Sequence, residues 1–331
     1  TGKTSTKDFL RSVFSQCFKT SATQGNQNNE IGVPATILAA DEDTEVLIVE
    51  LGMRGMHQIE HLCTFVKPSM AVVTNIGVSH MELLGSRENI ARAKSELLAA
   101  LPATGFAVHS YGFSPDAEVR AMNVSYDAEA CASFEVVAGS ADPVSVRLSI
   151  PGKHNISNAL AAYAAGLNMG IEPDDIARGL VEAKASGMRM EIMHAPGGVT
   201  VVNDAYNANP DSMRASISTL STLEGSGRRI AVLGDMLELG NRSSAEHYRI
   251  GRIAAQKADL LLTYGAHSVR TVTGAITGGM PPKHAEHFDT HEDLARVLKM
   301  RAGEGDVILF KGSRGMRMEK ALALFFKEEE E

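Results

Sequence analysis

Gly2, Lys3 and Thr4, in the opening run TGKTSTKD, form the kind of tripeptide that closes a phosphate-gripping loop. Backbone N–H groups at a helix start, a lysine, and a hydroxyl able to ligate magnesium together suit a nucleoside triphosphate. Ser5 extends the same helix start. The full pattern G-x-x-x-x-G-K-[ST] puts a strand and a first glycine ahead of this tripeptide, so the loop is expected to begin upstream of Thr1. A stretch this short also serves as the plain start of a helix capped by threonine.

Other residues supply the context. Glu50 ends the apolar run VLIVE, and a carboxylate at a strand end downstream of such a loop is where a P-loop enzyme holds its metal. The alternative is an ordinary surface carboxylate. His80 lies in NIGVSH, just after MAVVTN, and Lys94 lies on the amphipathic run RENIARAKSELLAAL. Singly, these are a hydrogen-bonded loop histidine and a solvated helix lysine. Their joint appearance beyond the same sheet edge as Thr4, Glu50 and Asn75 shifts the balance toward a site for a triphosphate and its metal.

The elements that must position them follow from periodicity. Apolar runs of strand length alternate with amphipathic helical stretches, the pattern of parallel sheets covered by helices. VLIVELG (46–52) and MAVVTNIG (70–77) are expected as buried parallel strands, and ligands in such sheets bind beyond the carboxyl ends of the strands. Short alternating strands between 119 and 150, ended by Pro151-Gly152, predict an antiparallel appendage. HNISNALAAYAAGLNMG predicts a helix closed by Gly170, and PDDIARGLVEA another. The helical run stops near Ser186-Gly187, after which TVVND, RRIAVLGD, ADLLLTYG and DVILFKG predict a second βα series. Two α/β domains, 1–186 and 187–331, are therefore expected. The closing KEEEE is expected as a solvated end.

Composition agrees with two domains, since 331 residues with 44% hydrophobic exceed what one core of roughly 250 to 300 residues holds. A net charge of -8 argues against a nucleic-acid surface, which needs concentrated Lys and Arg. Cys17, Cys63 and Cys131 show no C-x-x-C spacing and no even count. Neither a zinc knuckle nor a disulfide framework is suggested, which fits a reducing cytoplasm. No apolar run approaches the roughly 18 to 20 residues of a membrane span, and no signal-peptide core is seen. No membrane or nucleic-acid partner is expected, and a monomer is.

TGKTSTKD, GNQNNEIGVP, VELG, TNIGVSHMELLGS, ARAKSELL, GKHNISNALAA, NDAYNANPDSM, VLGDMLELG and KGSRGMRME follow one another along the chain. In that order they resemble the motifs of the Mur ligases, from the first residue to about Lys320. The resemblance implies a P-loop-type, mostly parallel ATP-binding central domain with a small antiparallel appendage, then a Rossmann-like α/β C-terminal domain. It also implies ATP-dependent amide ligation through an acyl phosphate. NDAYNANPDSM with GDMLELG is similar to members that join D-Ala-D-Ala to UDP-MurNAc-tripeptide, a cytoplasmic step of peptidoglycan precursor synthesis.

The resemblance further implies roles for particular residues. Gly2, Lys3 and the loop backbone would hold the ATP phosphates; Thr4 and Glu50 would bind one Mg2+ and His80 a second. Lys94 matches a lysine carried as a carbamate, whose CO2 adduct is a carboxylate where a bare ammonium would repel a dication. Asn28 and Asn29 match a segment near the nucleotide and acceptor site, and His154, Asn155 and Asn158 the adenosine-binding run. Arg189 and Asp204 match residues that reach ATP when the domains close. Tyr206, Asn207, Asn209, Pro210, Lys311, Ser313 and Arg314 match stretches associated with the incoming dipeptide. On residue chemistry alone, DAYNANP is equally a polar βα turn and KGSRG a flexible helix start.

Two departures stand out. Family members begin with a UDP-sugar-binding domain, which is expected ahead of Thr1, and near residues 107–110 they carry a longer segment. The rivals are another amide ligase of the Mur and folylpolyglutamate superfamily, and a nucleotide-binding scaffold without catalysis.

Overall fold

The computed structural model describes residues 1–77, 81–103 and 109–327. The chain forms two compact units, one of Thr1–Asp127 with Cys131–Ser186, the other of Ala128–Ala130 with Gly187–Glu331.

The first unit runs α1 (Lys3–Phe14), β1 (Thr20–Ala22), α2 (Gly32–Leu38), β2 (Val46–Ile48), α3 (Gln58–Val66), α4 (Met81–Leu84) and α5 (Arg87–Ala99). It continues through β3 (Tyr111–Gly112), β4 (Val119–Tyr126), β5 (Cys131–Ala138), β6 (Val144–Pro151), α6 (His154–Asn168) and α7 (Pro173–Glu182). Phe9, Leu10, Val13 and Phe14 form one face of α1 at helical spacing and enter the core beside Ile156, Leu160 and Ile176. β1 and β2 pair in parallel, Thr20 opposite Val46. β3 joins β4 in parallel, and β4, β5 and β6 form the antiparallel meander expected between 119 and 150. α6 ends at Asn168, with Gly170 in the left-handed region at φ 73°.

The two runs expected as buried strands need correcting. VLIVELG contributes only the short β2, in which Val46 and Leu47 are half-buried. Residues 70–77 form no strand at all: Ala71, Val72, Val73 and Thr74 are half-buried, and Asn75 and Ile76 are exposed. The physical reason lies in the carbonyls, since a strand exists by exchanging main-chain hydrogen bonds with a neighbour. Here side chains take that place. Tyr111 Oη donates to Val73 O at 3.0 Å and approaches Thr74 O at 3.4 Å. Lys94 Nζ donates to Asn75 O, and Arg87 to Ile76 O at 2.9 Å. Burial pushes the Tyr111 phenol up to about 12, so it stays a donor.

The second unit runs β7 (Glu191–Ala195), β8 (Val199–Asn203), α8 (Pro210–Leu220), β9 (Arg229–Gly234), α9 (Ser243–Ala254), β10 (Leu260–Tyr264), α10 (Val269–Thr277), β11 (Ala285–Phe288), α11 (His291–Arg301), β12 (Val307–Lys311) and α12 (Met318–Phe326). Its sheet has six strands in the order β11-β10-β9-β12-β8-β7, parallel except for the antiparallel β7. Successive side chains of a strand face opposite ways. Ile230 and Val232 of β9 therefore join one core with Ile308, Phe310 and Leu294, while Ala231 and Leu233 join the other with Leu309, Ile217 and Ile250. Both faces are covered, which is why the central strands read as unbroken apolar runs. The short edge strands β7 and β11, EIMHA and AEHF, lack such runs and were not expected from the sequence. Among the described residues no helix is long and apolar enough to cross a membrane.

Candidate functional site

In the first unit the site grows from the N-terminus of α1. Gly2 is its N-cap, at φ 83°. A Cβ there would lie 2.6 Å from Asn158 Oδ1, so both the turn and the close approach require glycine. Thr4 Oγ1 donates to Glu50 Oε2 at 2.8 Å, and Asn28 Nδ2 donates to Glu50 Oε1 at 2.9 Å. The Glu50 backbone N–H donates to Thr23 Oγ1 at 2.9 Å, and Lys7 Nζ donates to Thr23 O at 2.8 Å. Glu50, 7% exposed, is thus fixed beside the helix start where an anionic ligand is favoured.

Asn158 and Asn155 brace the loop from α6. Thr6 Oγ1 donates to Asn158 Oδ1 at 3.2 Å, Asn158 Nδ2 to Asn155 Oδ1 at 2.9 Å, and Asn155 Nδ2 to Pro151 O at 2.7 Å. Both asparagines are buried, while the neighbouring His154 is half-buried. Asn29 is used locally, its Oδ1 accepting the Ile31 and Gly32 N–H groups at the start of α2. Ser5 sits half-buried in the first turn of α1.

Lys94 comes from α5, whose start is fixed by Ser86 accepting the Asn89 N–H at 3.1 Å. Its ammonium pKa is pushed below the ordinary lysine value by burial first and by the nearby charge of Lys3 second. The fold therefore brings the charge of Lys3 near Lys94, whose ammonium is anchored on Asn75 O. His80 lies outside the described residues.

Among the described residues no three His, Cys, Asp or Glu side chains gather as a metal centre. The Thr4 hydroxyl and Glu50 carboxylate nevertheless suit Mg2+, a hard cation bound through one or two carboxylates, hydroxyls and substrate phosphates rather than by an all-protein cage.

In the second unit the named residues share the carboxyl ends of β8 and β12. Lys311 Nζ, on a side chain only 3% exposed, pairs with Asp204 Oδ2 at 2.6 Å and also donates to Asn207 O at 3.0 Å. Ser216 Oγ donates to the same Asp204 oxygen at 2.6 Å, and the Met190 N–H reaches Asp204 Oδ1 at 3.3 Å. Arg189 lays its guanidinium over the Tyr206 ring, 4.1 Å from the centroid. Met188 and Met190, on either side of Arg189, are both left-handed, at φ 59° and 51°. Asn209 caps α8 through a reciprocal pair with Ser212, with Pro210 in the first turn. Asn207 Oδ1 accepts the Ala208 N–H at 2.8 Å. Ser313 Oγ donates to Ala208 O at 3.1 Å, and the exposed Arg314 pairs with Glu319 at 3.0 Å.

Three residues escaped the sequence reading: Thr23, Asp235 and His247. Asp235 had a signal, since GDMLELG puts a carboxylate just past the carboxyl end of an apolar run. Thr23 and His247 had none, Thr23 bonding residues 16 and 27 positions away and His247 a turn residue outside its own helix.

Comparison with known proteins agrees with this geometry. Residues 1–166 match the Mur ligase middle domain and residues 188–314 the Mur ligase glutamate ligase domain. The UDP-N-acetylmuramoyl-tripeptide--D-alanyl-D-alanine ligase of Bacillus subtilis is 39% identical over 96% of this chain and 72% of its own length. That of Escherichia coli is 34% identical over 97% and 74%. Among solved structures, MurF from Acinetobacter baumannii superposes with a TM-score of 0.88 at 29% identity, over 99% of this chain and 75% of its own. MurF from Thermotoga maritima, in complex with ADP, does so with a TM-score of 0.87 at 27% identity, over 99% and 78%. With the glycine-turned loop, the Thr4–Glu50 pair and both domain matches in one chain, this protein belongs to the Mur ligase family.

Proposed function

We propose that the chain is an ATP-dependent ligase that joins D-Ala-D-Ala to UDP-MurNAc-tripeptide in cytoplasmic peptidoglycan precursor synthesis, acting as a monomer. One observation carries the reading: Thr4 Oγ1 lies 2.8 Å from Glu50 Oε2 at the N-terminus of a phosphate-loop helix, in a chain 39% identical to a relative that bears this activity in its name.

The terminal carboxylate of the tripeptide attacks the γ-phosphoryl group of ATP, giving an acyl phosphate and ADP. The amine of D-Ala-D-Ala then adds to the acyl carbon, the C–O bond to phosphate breaks, and the amine loses a proton. Activation is needed because oxide is a poor leaving group and phosphate a good one. Carboxylate and triphosphate repel each other, so the protein's share is positioning and charge neutralisation. Lys3 and the α1 N-terminus hold the phosphates. Thr4 and Glu50 would hold one Mg2+ and His80 a second, and bound magnesium supplies further neutralisation of the triphosphate. Lys94 acts as its carbamate, an anion where the bare ammonium would repel a dication. In the second unit Tyr206, Asn207, Asn209, Pro210, Ser313 and Arg314 face the dipeptide, and Arg189 and Asp204 serve the nucleotide.

The test is an acceptor competition with the complete protein, ATP and UDP-MurNAc-tripeptide. D-Ala-D-Ala should be incorporated with release of ADP and phosphate, and glutamate or a diamino acid should not; preference for glutamate would overturn the assignment.

A further inference from the structure

We propose that His247, in α9, is a positioning residue for the acceptor-amine site, its uncharged imidazole fixing the turn that follows β9 and, through Ser313, the turn that follows β8. The inference rests on the ligase reading above for the identity of the acceptor, and on hydrogen bonds within the second unit for everything else.

The ring is 1% exposed. Its Nδ1 lies 2.8 Å from Ser243 O one helical turn back, an oxygen that only accepts, so Nδ1 carries the proton. The lone pair is then left on Nε2, which accepts the Met236 N–H at 3.0 Å. A charged ring would present an N–H at both nitrogens and set a donor against the Met236 donor. Burial, the largest influence on this ring, works against the charged form and pushes its pKa below the ordinary value.

Met236 matters because of the peptides beside it. Asp235 O accepts the Ser313 N–H at 2.9 Å, and the Leu237 N–H donates to Ser313 Oγ at 2.9 Å. Ser313 Oγ in turn donates to Ala208 O at 3.1 Å, inside the NAN turn. The Asp235 carboxylate accepts the His267 N–H at 3.0 Å and Ser268 Oγ–H at 2.5 Å, which ties in the turn after β10. The turns after β10 and β12 therefore meet the turn after β9 at residues 235–237, the turn after β8 joins through Ser313, and the middle amide of 235–237 is held by His247. Charged and titratable groups also face the ring: Asp235 Oδ1 at 3.8 Å, the His267 ring at 5.7 Å between centroids, and Glu246 on α9 itself. The Glu246 carboxylate is drawn off by Arg249 at 2.8 Å and Arg242 at 3.4 Å.

Two variants of the complete protein test the role. His247→Phe fills the space without an acceptor, while His247→Gln places an amide oxygen where Nε2 stood. A buried N–H left without a partner weakens what it supports by roughly 5- to 150-fold. The KM for D-Ala-D-Ala should rise by about that factor in His247→Phe, with the KM for ATP and the saturated kcat within about threefold, and should return to near wild type in His247→Gln. Amide exchange, which needs no substrate, should show loss of protection at Met236 and Ala208 in the Phe variant alone. Should His247→Phe not fold, His247→Asn, too short to reach the Met236 N–H, takes its place. Unchanged exchange at Met236, or equal shifts in all kinetic constants for Phe and Gln alike, overturns the proposal. A wild-type protein that ignores D-Ala-D-Ala sinks the ligase reading instead, and exchange then still decides the role of His247.

Discussion

Lys3 and Lys311 both lie in motifs that point to ligand binding, and the fold treats them in opposite ways. Lys3 stands at the start of α1 with no hydrogen-bond or ion-pair partner among the described residues, so its donors remain available to a phosphate. Lys311 is 2% exposed and bonded to Asp204 and Asn207, so its donors are already committed. The edge of the first unit is set up to receive charge, whereas the corresponding edge of the second is satisfied by its own turns. Of these two motif lysines, Lys3 is the one whose donors the fold leaves open. Lys311, matched by resemblance to the dipeptide stretch, acts on that comparison by shaping the DAYNAN turn.

The contrast can be broken from either side. Lys3→Ala should lower turnover by about a thousandfold, the scale of a lost transition-state donor, while the urea midpoint stays put; a comparable loss of stability would erase the distinction. Lys94→Ala should likewise abolish ligation and leave ATP binding mostly intact, measured by equilibrium titration, and unchanged turnover would remove the carbamate. Lys311→Met should do the reverse. Leaving Asp204 buried beside an apolar chain costs about 3–5 kcal/mol, visible in denaturant unfolding, and pairing it with Asp204→Asn should recover part of that. A change confined to acceptor KM would return Lys311 to the dipeptide.

The smallest effect is a pH dependence of the second unit. His247 has its folded-state pKa depressed by burial, so its contribution is fully present above the unfolded imidazole value of about 6.5 and is lost as pH falls from there through the folded value. Unfolding free energy measured down a pH series should decline below about 6.5, and His247→Gln should flatten that component.

Much of the second unit was legible, because its central strands are apolar on both faces and TVVND, RRIAVLGD, ADLLLTYG and DVILFKG announce themselves. The meander before Pro151 and the helix closed by Gly170 were legible for the same local reasons. Residues 70–77 were not: their composition is that of a strand, but composition carries no information about which groups will meet the carbonyls. At the site, the resemblance put Thr4 and Glu50 on one Mg2+, and their side chains lie 2.8 Å apart. The bond from the Met236 N–H to His247, or from Ser186 Oγ to Asp8 at 2.9 Å, joins residues that lie in different elements. No spacing rule could have found either.

The segment that failed to become a strand has one more consequence. Asn75 and Ile76 are gripped by Lys94 and Arg87, which ride on a single helix. Chemistry at the Lys94 amine is therefore felt by the main chain it holds: converting that amine to a carbamate changes what Asn75 is tethered to, while Arg87 keeps its hold one residue further on. Carbamylation there would retune a backbone suspension as well as exchange a positive charge for a negative one.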